Sequence, residues 1–163
     1  MRKQHIFIAA YYSFLFAGCS FNGGVKKDLT TGLTASYAGF AVNDVKLVTP
    51  QGIALTDNTV SLDSSFAIAV FGVRHFQLID GKAYPGCELT IKDTPGKIIA
   101  HAADVLAAFT KDGIATKDAV DLAATIRMSK PLIVGEKYHI TARFFDKQNS
   151  KNELLAEVNV VLH

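Results

Sequence analysis

The strict alternation of apolar and polar side chains near the end of the chain limits its fold most. Apolar residues recur at every second position over Tyr138–Phe144 and again over Ala156–Leu162, and the polar segment Asp146–Asn152 separates the two runs. Side chains point to opposite faces of a β-strand at successive positions, whereas a helix requires a period of 3.6 residues. The pattern therefore predicts two strands that form a hairpin, each with one face in a core.

Further strands and turns are predicted upstream of this hairpin. The continuous apolar run Phe66–Phe71 is typical of a central strand that is buried on both faces. Asp80-Gly81 indicates a two-residue hairpin turn of type I′. Tyr84-Pro85-Gly86 indicates a type II turn, in which glycine supplies the positive φ.

Two segments with many alanines favour helices instead. Over Ala102–Phe109 the apolar side chains fall on one helical stripe, and Lys111-Asp112-Gly113 would end this helix. Over Lys117–Ala124 a second short helix competes with a strand, because Val120–Met128 also alternates. We therefore expect one or two short helices in the fold.

Together these elements predict a mainly β protein. About seven to nine short strands separated by turn signals are typical of an antiparallel β-sandwich. We place this single domain at residues 37–163. Residues 19–36 are expected to be a flexible tether, since Gly23-Gly24 and Thr30-Thr31-Gly32 interrupt any periodicity and large apolar residues are sparse.

The first nineteen residues have the pattern of an export signal. Arg2 and Lys3 precede the apolar run Ile6–Phe16, which is too short to cross a bilayer as a helix of about 20 residues. The segment Phe16-Ala17-Gly18-Cys19 resembles the lipobox of bacterial lipoproteins, although Phe16 stands where the family usually has leucine. The resemblance implies a signal peptide at residues 1–18, lipidation of Cys19 and attachment to a membrane through the N-terminal lipid.

The same resemblance implies an exported, lipid-anchored protein of the cell envelope. Ser20 follows the cysteine where inner-membrane retention would require aspartate, so the outer membrane is preferred. The segments DGKAYPGCELTIKD (80–93) and GEKYHITARFFDK (135–147) are also similar to segments of uncharacterised bacterial lipoproteins with β-sandwich domains. That second resemblance implies a fold and brings no activity with it.

Removal of the signal peptide leaves a chain without net charge. The chain has 17 basic and 15 acidic residues, of which two basic ones lie in residues 1–18, so the remaining charge is (17 − 2) − 15 = 0 with histidine neutral. A nucleic-acid-binding domain would show a clear basic excess. We therefore expect no nucleic-acid partner.

The chemistry-bearing side chains form no recognisable catalytic string. Cys87 fits a buried thiol best, and its alternatives are a disulfide with Cys19 or a nucleophile beside a histidine. His75 and His139 could be brought together by strands as metal ligands, but their spacing matches no metal motif. Aspartates near predicted turns could bind calcium, yet they also suit ordinary turns; they are Asp57, Asp63, Asp80, Asp93 and Asp146. We predict no catalytic, cofactor-binding or metal-binding residue.

The Arg143-Phe144-Phe145 segment bears on binding. Adjacent aromatic residues in a strand point to opposite faces, so one enters the core and the other is either covered by the short helix or exposed to a partner. The sequence thus favours a non-enzymatic binding or interaction module for an envelope protein or a glycan. A structural subunit of an envelope assembly is the first alternative, and a hydrolase is the second.

Overall fold

Antiparallel strands dominate the structure, a computed structural model that describes residues 23–163. Three of its twelve strands have only two residues, and the other nine have five or more, which matches the expected number of short strands. The strands are β1 (Gly23–Lys27), β2 (Thr34–Ala38), β3 (Asp44–Val48), β4 (Thr59–Val60), β5 (Ser65–Phe71), β6 (Lys82–Ala83), β7 (Pro85–Asp93), β8 (Ile98–Ala102), β9 (Ile114–Ala115), β10 (Leu122–Arg127), β11 (Lys137–Asp146) and β12 (Asn149–Leu162).

The large sheet is built around the predicted C-terminal hairpin. Its order is β1-β2-β12-β11-β7-β8, and β4 adds to the end of β12 as a parallel pair. The β11–β12 register runs from Lys137 opposite Val161 to Phe145 opposite Glu153. Every second residue of β11, and of β12 from Asn152 onward, is buried, as the alternation predicts.

The small sheet has the order β10-β5-β3. Its central strand β5 contains the apolar run, and all five residues from Phe66 to Val70 are buried, so the prediction of a central strand buried on both faces is confirmed. A further two-residue ribbon pairs β6 with β9. The two sheets pack face to face around one core, which confirms the β-sandwich; its largest fully buried side chains include Phe40, Leu47, Ile68, Ile126, Ile140, Phe144 and Leu154.

The predicted tether is wrong from residue 23 onward, because the domain begins with β1 and β2. These strands form a hairpin that pairs with β12 through β2. Leu33 and Ala35 are each only 1% exposed, so they anchor the hairpin in the core. Asp28 closes its turn by accepting hydrogen bonds from Thr30 and Thr31, and the Thr30 bond lowers the pKa of Asp28. Residues 19–22 of the predicted tether and the predicted signal peptide, residues 1–18, lie outside the described residues.

The predicted helix over Ala102–Phe109 is also wrong. Ala102 is the last residue of β8, and only a single 3₁₀ turn, Ala107–Phe109, follows. Beyond β8 the chain turns at residues 103–106, where the Val105 amide donates to the Cys87 carbonyl at 2.7 Å and so holds the turn against β7.

At the second helix candidate the strand alternative is correct. A 3₁₀ turn covers only Thr116–Asp118, and β10 begins at Leu122. The burial of β10 alternates strictly between buried and exposed positions. The period-two pattern therefore outweighed the helix propensity of alanine.

One of the two predicted turns forms and the other does not. Asp80 and Gly81 both have positive φ, and Ile79 and Lys82 exchange both backbone hydrogen bonds, as a type I′ turn requires. Gly86 lacks the positive φ of a type II turn and lies instead within β7. A Cβ atom at Gly86 would collide with the ring of Phe145, so this glycine allows close packing.

A buried polar junction fixes the turn of the β11–β12 hairpin to the segment after β5. Asp146 is 2% exposed and Asn152 is 4% exposed. Asp146 accepts hydrogen bonds from the Gln77 amide at 2.7 Å, the Gln148 amide at 2.9 Å and the Asn152 side chain at 3.2 Å. The Asn152 amide also donates to the His75 carbonyl at 2.8 Å. The junction therefore determines the path of residues 72–77.

We predict that Asp146→Ala lowers the free energy of unfolding by about 2–4 kcal/mol, because it removes a buried carboxylate that accepts three hydrogen bonds. Chemical denaturation followed by circular dichroism measures this change. Asp57→Ala is the control, since the exposed Asp57 accepts one bond from Thr59 and should cost less than about 1 kcal/mol. Equal losses in the two variants would contradict the role assigned to Asp146.

Candidate functional site

Cys19, the predicted lipidation site, lies outside the described residues. The structure therefore bears on the lipidation of Cys19 only through Cys87, the other cysteine of the chain. Cys87 is 0% exposed and packs in the core on the inner face of β7. Its Sγ lies 3.7 Å from the Glu88 carbonyl.

The environment of Cys87 suppresses thiolate chemistry. Burial, together with the negative charges of Asp104 and Glu88, raises the pKa of Cys87 to about 12. A reactive cysteine needs the opposite, an accessible thiolate stabilised by positive charge. The interpretation of Cys87 as a buried thiol is therefore confirmed, and the nucleophile alternative does not fit this site.

Asp104 and Lys147 form a largely buried ion pair beside Cys87, which we name the Asp104–Lys147 clamp. Their side chains make an ion pair of 2.7 Å and are 20% and 14% exposed. Burial alone would raise the pKa of Asp104, but hydrogen bonds from Lys147 and from the Cys87 and Leu106 amides outweigh it and lower the pKa. All these contacts hold the segment after β8 against β7 and β11, so the clamp has a structural role.

The histidines are not brought together. His75 lies at one end of the sandwich, where its carbonyl accepts from Asn152, and His139 contacts Asn159 at 3.1 Å. Seven residues of β12 separate these two asparagines, which is about 23 Å at roughly 3.3 Å per residue. Strand pairing therefore does not join His75 and His139 in one site.

The turn aspartates are divided between the two ends of the sandwich. Asp80 and Asp146 lie at the end that carries the β11–β12 turn, and Asp93 lies opposite Tyr138 at the other end, near Asp57 and Asp63. Among residues 23–163 no three histidine, cysteine or carboxylate side chains are close enough to hold a metal ion.

The outer face of the large sheet carries an ion-pair cluster. Phe144 is in the core, and Phe145 lies outside over Gly86 rather than under a helix. The Arg143 guanidinium stacks 4.8 Å from the centre of the Phe145 ring and pairs with Glu88 at 3.1 Å and with Glu153 at 3.5 Å. Because these side chains partner one another, this face is a solvated polar surface.

The outer face of the small sheet differs, because it carries an apolar cluster beside the Lys46–Asp44 ion pair. A second cluster of Val48, Ala67, Ala69 and Phe71 lies there, separate from the main core. The turn after β3 covers part of it, and the rest forms an open groove of about 320 Å³ with Pro50, Ala123 and Thr125 on its walls. We name this cavity the small-sheet groove. Its alanine floor suits an apolar side chain of a ligand, and its walls also include the polar residues Thr49, Asp121 and Thr125.

Sequence reasoning missed this groove, although one signal for it was present. A strand that is apolar on both faces predicts a cover on both faces. The structure supplies a full layer on one side of β5 and only the short turn on the other. The partial cover depends on residues from three strands, and the alternation within one strand does not reveal it.

No family model matches this chain, and no curated protein matches it. Within the described part of the chain, no helix is long and apolar enough to cross a bilayer.

We predict that Cys87 resists alkylation by iodoacetamide in the native protein and reacts only after denaturation. At pH 8 a thiol with a pKa near 12 is ionised in about one molecule in ten thousand, and the core also excludes the reagent. Peptide mapping by mass spectrometry measures alkylation at Cys87 alone. An Ile53→Cys variant gives the reference for an exposed thiol, and comparable native reactivity at position 87 would contradict the buried site.

Proposed function

We propose that this chain is a lipid-anchored, non-enzymatic binding module of the cell envelope. In this proposal residues 1–18 are a signal peptide, the lipid on Cys19 holds the domain at a membrane, with the outer membrane preferred, and the partner is an envelope protein or a glycan. Two anchored acyl chains give stable attachment, because each buried methylene contributes about 0.8 kcal/mol.

The burial of Cys87 supports the anchoring part of the proposal. A disulfide between Cys19 and Cys87 would compete with acylation, but the Cys87 side chain is enclosed in the core on all sides. The start of β1 also fits, because Gly23 lies four residues after Cys19. A chain of four residues reaches about 14 Å at most, so the folded domain would lie directly at the bilayer surface.

The small-sheet groove is the single observation that carries the binding part. Soluble domains seldom leave an apolar sheet face partly covered unless a partner completes the cover. The groove offers alanine methyl groups at its floor and Pro50 at its exposed rim. An apolar side chain or the apolar face of a sugar ring fits this chemistry.

We predict that a Cys19→Ala variant loses the mass increment of the lipid. Intact-mass analysis of the membrane-extracted protein measures this increment, which the native chain should carry because only a cysteine thiol is diacylated at this site. Cys87→Ala is the matched control and should retain the full increment. An unmodified Cys19 in the native protein would contradict the anchor.

We predict that a photoreactive residue in place of Pro50 forms one discrete adduct in intact cells. p-Benzoylphenylalanine at this exposed rim lies against any partner seated in the groove, and gel mobility measures the adduct. Leu29, which is 82% exposed in the β1–β2 turn, is the control position for the same residue.

A second variant connects this adduct to the groove itself. Ala69→Leu fills the floor, and we expect it to reduce the adduct by about tenfold, the effect of losing about 1.4 kcal/mol of contact. Ala100→Leu makes the same change at an exposed position on β8 and should leave the adduct intact. An adduct that persists with the groove filled would contradict the assignment.

A further inference from the structure

The edges of the two sheets differ in how well they are protected. In the described part of the chain the sheets end at β1, β8, β3 and β10. Native sheets discourage pairing at an open edge with lysines, bulges or covering segments. Three of these edges carry such a feature. β1 has Lys26 and Lys27, and β8 has a bulge opposite Ile91 and Lys92. β3 has the Lys46–Asp44 ion pair and a bridge from Val48 to Ala54.

Over Leu122–Ile126, β10 carries neither a lysine nor a bulge. Its pairing with β5 is regular throughout, and among the described residues β5 is its only strand partner. Five consecutive residues are uncharged, and they alternate strictly between core and solvent. A regular, uncharged edge of this kind is a template for one more strand.

The sequence of this edge is complementary to itself. In an antiparallel pair centred on Ala124, Leu122 lies opposite the partner's Ile126, and Ala123 lies opposite the partner's Thr125. Large aliphatic side chains thus meet on the core face, and small side chains meet on the outer face. We propose that a second copy of this chain pairs with β10, so that two small sheets join into one sheet of six strands about a two-fold axis at Ala124.

The charges at the two ends of the strand match in the same register. Asp121 lies opposite the partner's Arg127, and the symmetry repeats this pair at the other end of the ladder. Both side chains are exposed, and Asp121 uses Oδ1 to accept from the Gly72 amide at 3.0 Å. Among the described residues Arg127 has no ion-pair partner, so the second copy would supply one at each end.

A groove beside this edge fits the arriving arginine. It has a volume of about 460 Å³ and adjoins the first residues of β10. Leu106, Phe109 and Ile114 give it apolar walls, and Asp118 and Asp121 give it two carboxylates. An arginine combines an aliphatic stem with a guanidinium that binds carboxylates, so its chemistry matches both parts of this edge groove.

The geometry of the pair is compatible with a membrane anchor and does not depend on it. The two-fold axis of an edge-to-edge antiparallel pair is perpendicular to the sheet. Both copies therefore turn the same face of the sandwich to the same side, and both N-terminal segments can reach one bilayer. A failed lipid-mass test would leave this pairing in place.

Charge reversal tests the ion pairs. Arg127→Glu places two carboxylates opposite each other at both ends, so we expect the dissociation constant of the dimer to rise at least about tenfold. Sedimentation velocity on the full chain in detergent measures the dimer. Arg74→Glu makes the same change at an exposed position off the edge and should have no effect.

Restoring opposite charges provides the rescue. The double variant Asp121→Lys with Arg127→Glu should regain the dimer of the native chain. Thermal unfolding checks that each variant is folded. A native chain that is monomeric at all concentrations, or a folded double variant that remains as weak as the single variant, would overturn the proposal.

Disulfide mapping tests the register. We co-express two full chains that carry different tags, one with Ala123→Cys and the other with Thr125→Cys. In the proposed register these positions are directly opposed, so their Cβ atoms lie about 4.5–5.5 Å apart and can form a disulfide. We expect a disulfide that joins the two tags. Copies with one substitution alone should cross-link several-fold less, since like positions are diagonal at about 7–8 Å. Equal cross-linking in all three samples, or none in the folded mixture, would overturn the pairing.

Discussion

The pairing of β11 with β12 is the interaction on which the rest of the structure depends. These two strands are the longest in the large sheet, and β7 and β2 form their hydrogen bonds directly to them. Their inward side chains form the middle of the core, against which the small sheet packs. The buried Asp146–Asn152 junction then connects their turn to the segment that leaves β5. Elements far apart in sequence are therefore positioned by one local hairpin.

The sequence predicted those elements whose side chains alternate strongly between core and solvent. β10, β11 and β12 bury alternate residues, so the period of two identifies them, whereas β5 is identified by its continuous apolar run. β1 and β2 have few large apolar residues and depend on pairing with β12, a contact more than a hundred residues away. The apolar stripe over 102–109 suits a helix, but two contacts hold the segment in a turn beside β7. The Cys87 and Leu106 amides donate to Asp104, and the Val105 amide donates to the Cys87 carbonyl.

The candidate site was also predictable only in part, because the pattern within one strand does not show its contacts with other strands. The burial of Cys87 follows from the apolar character of an uncharged thiol, and a single residue suffices to suggest it. The small-sheet groove requires the positions of Val48, Ala69 and Ala123, which belong to three different strands. The period of one strand shows that a face is apolar, but the length of the turn after β3 decides how much of that face is covered.

The two proposed surfaces share β10, and this has a geometric consequence. Ala123 and Thr125 belong both to the wall of the small-sheet groove and to the outer face of the open edge. In the proposed pair Ala123 lies opposite the partner's Thr125, and Thr125 lies opposite the partner's Ala123. The two grooves therefore become parts of one continuous sheet face. Both grooves then face the same side, because the two-fold axis is perpendicular to the sheet. In the proposal, a pair of this kind would bind two copies of a ligand, or one repetitive ligand, with an effective concentration that a single domain lacks. In the proposed pair Asp121 belongs to both surfaces, because it lines the small-sheet groove and lies opposite the partner's Arg127, so self-pairing would alter the charged wall of the groove.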